Sequence, residues 1–334
     1  MLINRGFTFD DVLLTPGYGN VSRDDGSVET SLGDYKFDIP IISANMDTIT
    51  SAEMSIVMAE LGGLGILHRF MTIEENTVAY RKSCKYFVYP GARQFHEVGV
   101  SVGVGDHEIK RFEALYEIGA RLFCIDIAHA HCKQVGKMVK HMKKTYDDLY
   151  IIAGNVATYS GADYLVSIGA DAVKVGVGAG SVCTTRETTG FGVPQLTAIM
   201  DCARIDKPII ADGGIRTSGD AVKALAAGAT MVMLGGMLAG TDEACGYPGT
   251  YRGMASKEAR KEHFGETAEG KAAEGISIDV KLKGPVRDVI NEVVGGIKSG
   301  LSYAGAKNLD DLRRKAQFVE VTQATKIEGT PHAS

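Results

Sequence analysis

The chain of 334 residues has no tryptophan, only eight prolines and only six cysteines. None of the cysteines, at 84, 124, 132, 183, 202 and 245, stands in a Cys-x-x-Cys pair. That spacing excludes a zinc ribbon and, at this length, argues against a disulfide framework, so free thiols in a reducing compartment are expected. Apolar runs stop well short of the roughly 18 residues that a membrane span needs. Asp10 and Asp11 interrupt the stretch that a secretory leader would keep uncharged, which makes the cytoplasm the expected location. Basic residues are also scarce relative to acidic ones: 36 Lys and Arg against 41 Asp and Glu give a formal charge of −5, which argues against a nucleic-acid partner. Glycine is plentiful, at 41 residues, and 45% of the chain is hydrophobic, a composition suited to a filled core joined by many tight corners.

Short apolar runs predict strands at 41–44, 64–67, 99–104, 122–126, 150–154, 172–176, 208–212 and 230–235. They are rich in Val and Ile and lack in/out alternation, as parallel strands covered on both faces do. Helix-spaced apolar residues fill 51–61, 107–118, 132–145, 160–168, 195–204 and 218–227. The repeated strand-then-helix order predicts one (β/α)8 barrel domain over 1–334. Gly119-Ala120, Gly169-Ala170 and Gly228-Ala229 each close a predicted helix, where glycine is the ordinary terminator, and mark units rather than function. Regular patterning lapses at 241–283, a long polar segment read as an active-site flap. The small, polar tail at 325–334 is expected to fray.

Barrel enzymes carry their chemistry where strands end and the following loops begin. Those ends hold Asn45-Met46-Asp47, His68-Arg69, Asp126, Asn155, the loop 176–186, Asp212-Gly213-Gly214 and Gly235-Gly236. In the loop GVGAGSVCTTR, Gly176, Gly178 and Gly180 let backbone N–H groups approach an anion, and Ser181 adds a hydroxyl donor. Cys183 follows with Arg186 three residues on, a setting that would lower a thiol pKa and keep it reachable. Cys84, Cys124 and Cys202 read instead as small buried hydrophobes. The carboxylate of Asp212 suits a ribose diol. The glycine pairs after strands seven and eight stand where barrels often bind phosphate, and with Ser181 they describe one phosphate pocket.

These residues also carry a resemblance. FTFDDVLLTP at 7–16, SANMDT at 43–48, GVGAGSVCTTR at 176–186, IIADGGI at 209–215, MLGGMLAGT at 233–241 and YRGM at 251–254 resemble the family of IMP dehydrogenases and GMP reductases. The resemblance implies that Cys183 attacks C2 of a purine nucleotide. It implies that Ser181, Gly214, Gly235, Gly236 and Tyr251 hold the 5′-phosphate, that Asp212 holds the ribose, and that Gly253 and Met254 meet the base. Asp126 and Asn155 would face the nicotinamide cofactor. The carbonyls of Gly178, Gly180 and Cys183 would match a potassium site of the dehydrogenases. A homotetramer is implied as well.

Within the family, dehydrogenases usually carry an Arg-Tyr pair in the flap to activate water, and a pair of regulatory repeats in the loop that here spans only 84–98. Between Met254 and Glu274 no Arg-Tyr pair occurs, and AEGKAAEG at 268–275 resembles the reductases' AEYRAAEG. The resemblance therefore implies reduction of GMP to IMP by NADPH, with Thr185 and Glu274 as the proton-transfer pair and Lys271 toward the cofactor. IMP oxidation with NAD⁺ is the alternative, and a catalytically idle nucleotide-binding barrel or a flavin-dependent barrel the further ones. Two departures bear on the cofactor. Ile276 follows Gly275 where reductases have lysine, and Gly270-Lys271 replaces an aromatic-arginine pair, so NADH stands beside NADPH. His129 and His131 do not discriminate between the two reactions.

Overall fold

The structure is a computed structural model that describes residues 4–85, 98–246, 248–265 and 272–329. Eight parallel strands close into a barrel: Ile41–Ser43, Leu64–Leu67, Val98–Val102, Leu122–Asp126, Tyr150–Val156, Ala172–Val175, Ile209–Asp212 and Met231–Leu234. Each pairs with the next, and the circle closes with Val232 opposite Ile41 and Leu234 opposite Ser43. The predicted (β/α)8 architecture is the one observed, and each predicted strand matches a barrel strand to within a residue or two. Buried Ile, Val and Leu side chains occupy both faces of the strands, which explains their unbroken apolar runs.

The six predicted helices are present, several opened by a side-chain cap. Ser51, Thr158 and Thr217 each accept the N–H of the residue three positions on, satisfying a donor that the first turn leaves free. Two barrel helices fall outside the predicted set. Ile73–Lys85 carries few apolar residues, so its stripe is faint in the sequence. Val286–Ala304 is the longest helix, and three glycines hide it, since glycine disfavours helix interiors. They are there for packing. A Cβ on Gly296 would lie 2.3 Å from Ser218, and one on Gly300 would lie 2.7 Å from Val222, so the bare backbone lets this helix lie against Ser218–Ala226. Its stripe of Val286, Ile290, Val293, Ile297 and Leu301 is fully buried.

The far end of the barrel is covered by a hairpin, Thr30–Leu32 with Tyr35–Phe37, whose Leu32 and Phe37 are buried. The chain's two ends meet as Val12–Leu14 pairs antiparallel with Phe318–Glu320. The expectation of a frayed tail is corrected in part: Gln323–Glu328 is helical, following directly on that paired strand, while 330–334 lie outside the described residues. The segment 241–283 is also more regular than its sequence suggests. It contains a strand pair, Thr250–Arg252 with Ser277–Asp279, and a helix, Lys257–Phe264.

Candidate active site

The open end of the barrel leads into a cavity of about 800 Å³, within the size range of small-molecule sites. Every residue to which the resemblance gives a role lines it except Lys271, which lies outside the described residues; Asp47, His68 and Arg186, also singled out at the strand ends, do not line it.

The floor is built on a charge the sequence reading passed over. Lys174 sits between Val173 and Val175 in the sixth barrel strand, so its side chain points to the opposite face from theirs. Its side chain is 3% exposed, and its ammonium lies 2.7 Å from both Asp126 Oδ1 and Asp212 Oδ2. Burial disfavours charge on Lys174 and on Asp126, yet the pairing prevails: Lys174 titrates above the usual lysine range and Asp126 below the usual carboxylate range. Asn155 Nδ2 donates to Asp212 Oδ2 at 2.9 Å and to the Gly176 carbonyl at 2.7 Å, tying strands five, six and seven together. Both bonds to Asp212 converge on Oδ2, and no donor among the described residues takes Oδ1. That oxygen is free to accept from a sugar hydroxyl.

Three loops meet beside this floor. Gly213 has φ +96°, and a Cβ there would lie 3.1 Å from the Gly180 nitrogen. A Cβ on Gly236 would lie 3.0 Å from Ser181 Oγ, and one on Gly235 would lie 3.0 Å from the Tyr251 hydroxyl. Ser181 and Tyr251 themselves stand 3.5 Å apart, oxygen to oxygen. Burial raises the Tyr251 pKa and keeps the phenol protonated, as a donor must be. Among the described residues, no protein acceptor takes the N–H groups of Gly214, Gly235, Gly236 or Met237. The cradle thus offers several unspent donors to one anion.

Cys183 lies at the rim of this cradle. Its Sγ donates to Thr185 Oγ1 at 3.2 Å, and Thr185 Oγ1 donates to Glu274 Oε2 at 2.8 Å. The flap brings Glu274 there by adding backbone to residues 182–184. Thr184 N–H donates to the Glu274 carbonyl at 3.1 Å, Ile276 N–H to Val182 at 3.0 Å, and Gly253 N–H to Ile276 at 3.0 Å. A Cβ on Gly253 would lie 2.8 Å from the Val182 carbonyl, so glycine is what lets these backbones approach so closely. Arg186, expected beside the thiol, instead donates to the Val193 carbonyl at 2.9 Å and packs along Gly178 and Gly192. That expectation is corrected. The partner of Cys183 is a hydroxyl backed by a carboxylate, not a guanidinium.

A second contact holds the flap from outside. Asp47, 3% exposed at its side chain, accepts from Arg252 Nε at 3.0 Å and pairs with His263 Nε2 at 2.6 Å. Arg252 also meets Glu262 at 2.7 Å. His263 stacks at a tilt on Phe70, their ring centroids 5.5 Å apart. Behind it His68 is buried, and that burial lowers its pKa to about 4 despite the opposing pull of Asp47.

Cys124 and Cys202 are fully buried, as expected of small hydrophobes, and burial pushes each thiol up to about 12. Cys84 is half-buried. His131 packs its ring on Tyr164 at 5.0 Å. Of the carbonyls matched to a potassium site, that of Gly180 accepts the Cys183 N–H at 3.1 Å. Three carbonyls fall short of the six or more oxygens that hard cations gather, so these groups alone do not complete a shell. Sequence reasoning missed Lys174, Arg260 and His263 as parts of this region and left Arg69 without a role. A lysine inside a Val-rich barrel strand was the available signal for the first. Arg260 and His263 come in only through the flap helix Lys257–Phe264, whereas Arg69 stands just past the second barrel strand.

Comparison with known proteins accords with this geometry. A family model described as IMP dehydrogenase / GMP reductase domain matches residues 6–332. The chain is 34% identical to the inosine-5′-monophosphate dehydrogenase of Nitrosopumilus maritimus over 474 aligned positions, covering 99% of each chain. It is 35% identical to that of Aquifex aeolicus, covering 99% of this chain and 96% of the relative, and 32% identical to that of Methanocaldococcus jannaschii. The alignments run far beyond 334 positions, so these relatives carry a long stretch without counterpart here.

Proposed function

The chain belongs to the IMP dehydrogenase / GMP reductase family, and on that premise we propose that it is a GMP reductase, converting GMP, NADPH and two protons to IMP, NADP⁺ and ammonium. The observation that carries this reading is the line from Cys183 through Thr185 to Glu274, at 3.2 and 2.8 Å. Cys183 Sγ adds to purine C2, and the C2–N bond to the 2-amino group breaks. The departing amine needs a proton, which Thr185 relays from the Glu274 side. Held on the side of Asp126 and Asn155, a nicotinamide cofactor would supply the hydride that C2 gains, and cleavage of the C–S bond would return Cys183 as the thiolate.

Around that centre, Ser181, Tyr251 and the backbone of Gly214, Gly235 and Gly236 bind the phosphate, Asp212 the ribose, and Gly253 with Met254 the base. Asp126, Asn155 and Lys271 take the cofactor side, where Arg69 and Arg260 also bring guanidinium groups to the cavity. The absence of an Arg-Tyr pair between Met254 and Glu274 supports the reductive direction. A homotetramer, expected from the resemblance, is part of the same reading.

A second reading has specific support. The relatives above are all named as IMP dehydrogenases, and Arg260, on the flap helix Lys257–Phe264, lines the cavity. In that direction IMP and NAD⁺ would give XMP, with water replacing ammonia's part. The nicotinamide absorbance band decides between the two. GMP-dependent oxidation of NADPH, abolished in Cys183→Ala, is the expected result. Steady-state NAD⁺ reduction that depends on IMP would establish the second reading in its place.

A further inference from the structure

The phosphate cradle is lined by neutral donors, two hydroxyls and a set of backbone N–H groups, although a nucleotide phosphate is a dianion. Among the described residues, a cation tied to it by hydrogen bonds comes from behind, Lys283. Residues 235–239 form a single helical turn, in which the N–H groups of Leu238 and Ala239 both return to the Gly235 carbonyl, at 2.9 and 3.0 Å. The start of this turn lies beside Ser181 and Tyr251, each 3.0 Å from where a Cβ on Gly236 or Gly235 would stand, and the N–H groups of Gly235, Gly236 and Met237 have no protein acceptor among the described residues. The carbonyls of Gly236 and Met237 leave the other end, and Lys283 Nζ donates to both, at 2.9 and 2.8 Å.

Lys283 is fixed there by its own backbone, since its N–H donates to the Gly240 carbonyl at 2.9 Å. It also closes the chain segment that runs from the flap strand Ser277–Asp279 into the long helix from Val286. Nothing in the reading above uses it. We propose that Lys283 is a positioning residue of the phosphate site: its ammonium neutralises the negative pole of the 235–239 turn, orients the N–H groups into the cradle and supplies the positive charge that the cradle lacks. Peptide dipoles aligned in one turn favour an anion at the N–H end, and a cation at the carbonyl end strengthens that preference. Because the segment also carries the flap's return strand, filling of the phosphate site and seating of the flap stem share one side chain.

The inference rests on the phosphate reading and is independent of reaction direction, since GMP and IMP carry the same phosphate. Calorimetric binding of GMP, IMP, guanosine and inosine to the full chain tests it. Lys283→Met is expected to weaken both monophosphates about tenfold and to leave the nucleosides unchanged. Lys283→Arg is expected to restore most of the loss, and the monophosphate affinity of the Met variant should depend less on salt. Equal weakening of nucleosides and nucleotides would reduce Lys283 to fold support and overturn the proposal, as would unchanged nucleotide binding. Nucleosides binding the unaltered chain as tightly as nucleotides would instead overturn the phosphate reading beneath it.

Discussion

A single buried ammonium sets much of the site's character at the scale of residues. Lys174 keeps Asp126 charged in a place where burial alone would favour its neutral form, and its loss would leave the Asp126 and Asp212 carboxylates facing each other without a cation between them. The sequence displayed this lysine within AVKVG, but the run of apolar neighbours made the strand legible and the charge easy to pass over. Cys183 was legible for the opposite reason, because glycine, serine and threonine around it fit no core. Arg186 was misjudged because proximity in sequence says little about direction at the start of a short helix, Thr185–Thr189. His68 yields a test at this scale. Its folded pKa of about 4 lies below the ordinary histidine value of 6.5, so the unfolded chain binds more protons between those values. Its contribution is complete above pH 6.5 and is lost as pH falls toward 4. From pH 7 to pH 5 this costs about 2 kcal/mol of stability. Denaturant unfolding at the two pH values should show that loss, and His68→Gln should remove about that much of the pH dependence; an unaltered slope in the variant would assign the effect to other groups.

The flap is the element on which the chemistry turns. Three local devices place it: the Ser256 cap that opens Lys257–Phe264, the Asp47 clasp on Arg252 and His263, and the backbone bonds that lay residues 274–276 against 182–184. Its sequence announced only that it was long and polar, since the clasp partners lie some 200 residues apart in the chain. The role of Glu274 therefore rested on resemblance, and the structure adds a distance. Glu274→Gln keeps the backbone bonds that seat the flap while removing the proton that Thr185 would relay in the proposed reaction. Turnover should fall by about 10²-fold or more with nucleotide affinity nearly unchanged, as loss of a proton-transfer group dictates. Parallel losses in affinity and turnover would make Glu274 a structural clasp only.

At the scale of the whole molecule, the barrel does what its strand order requires, collecting eight strand ends on one rim. That rim was legible before any coordinates, because parallel strands buried on both faces read as plain apolar runs and their polar ends stand out. The helices were less so: Ile73–Lys85 has too little apolar surface to show a stripe, and Val286–Ala304 trades helix propensity for close packing through its glycines. The resulting cavity joins the glycine-lined cradle, the Asp212 carboxylate and the Cys183 thiol in one space, and the central claim of the proposed function is that the thiol bonds to the purine. Acid-quenching the enzyme during turnover with GMP and NADPH, then mapping its peptides by mass spectrometry, tests this directly. The account predicts a purine nucleotide attached to the peptide containing Cys183; continued turnover with that peptide unmodified, or with the adduct on another cysteine, would contradict it.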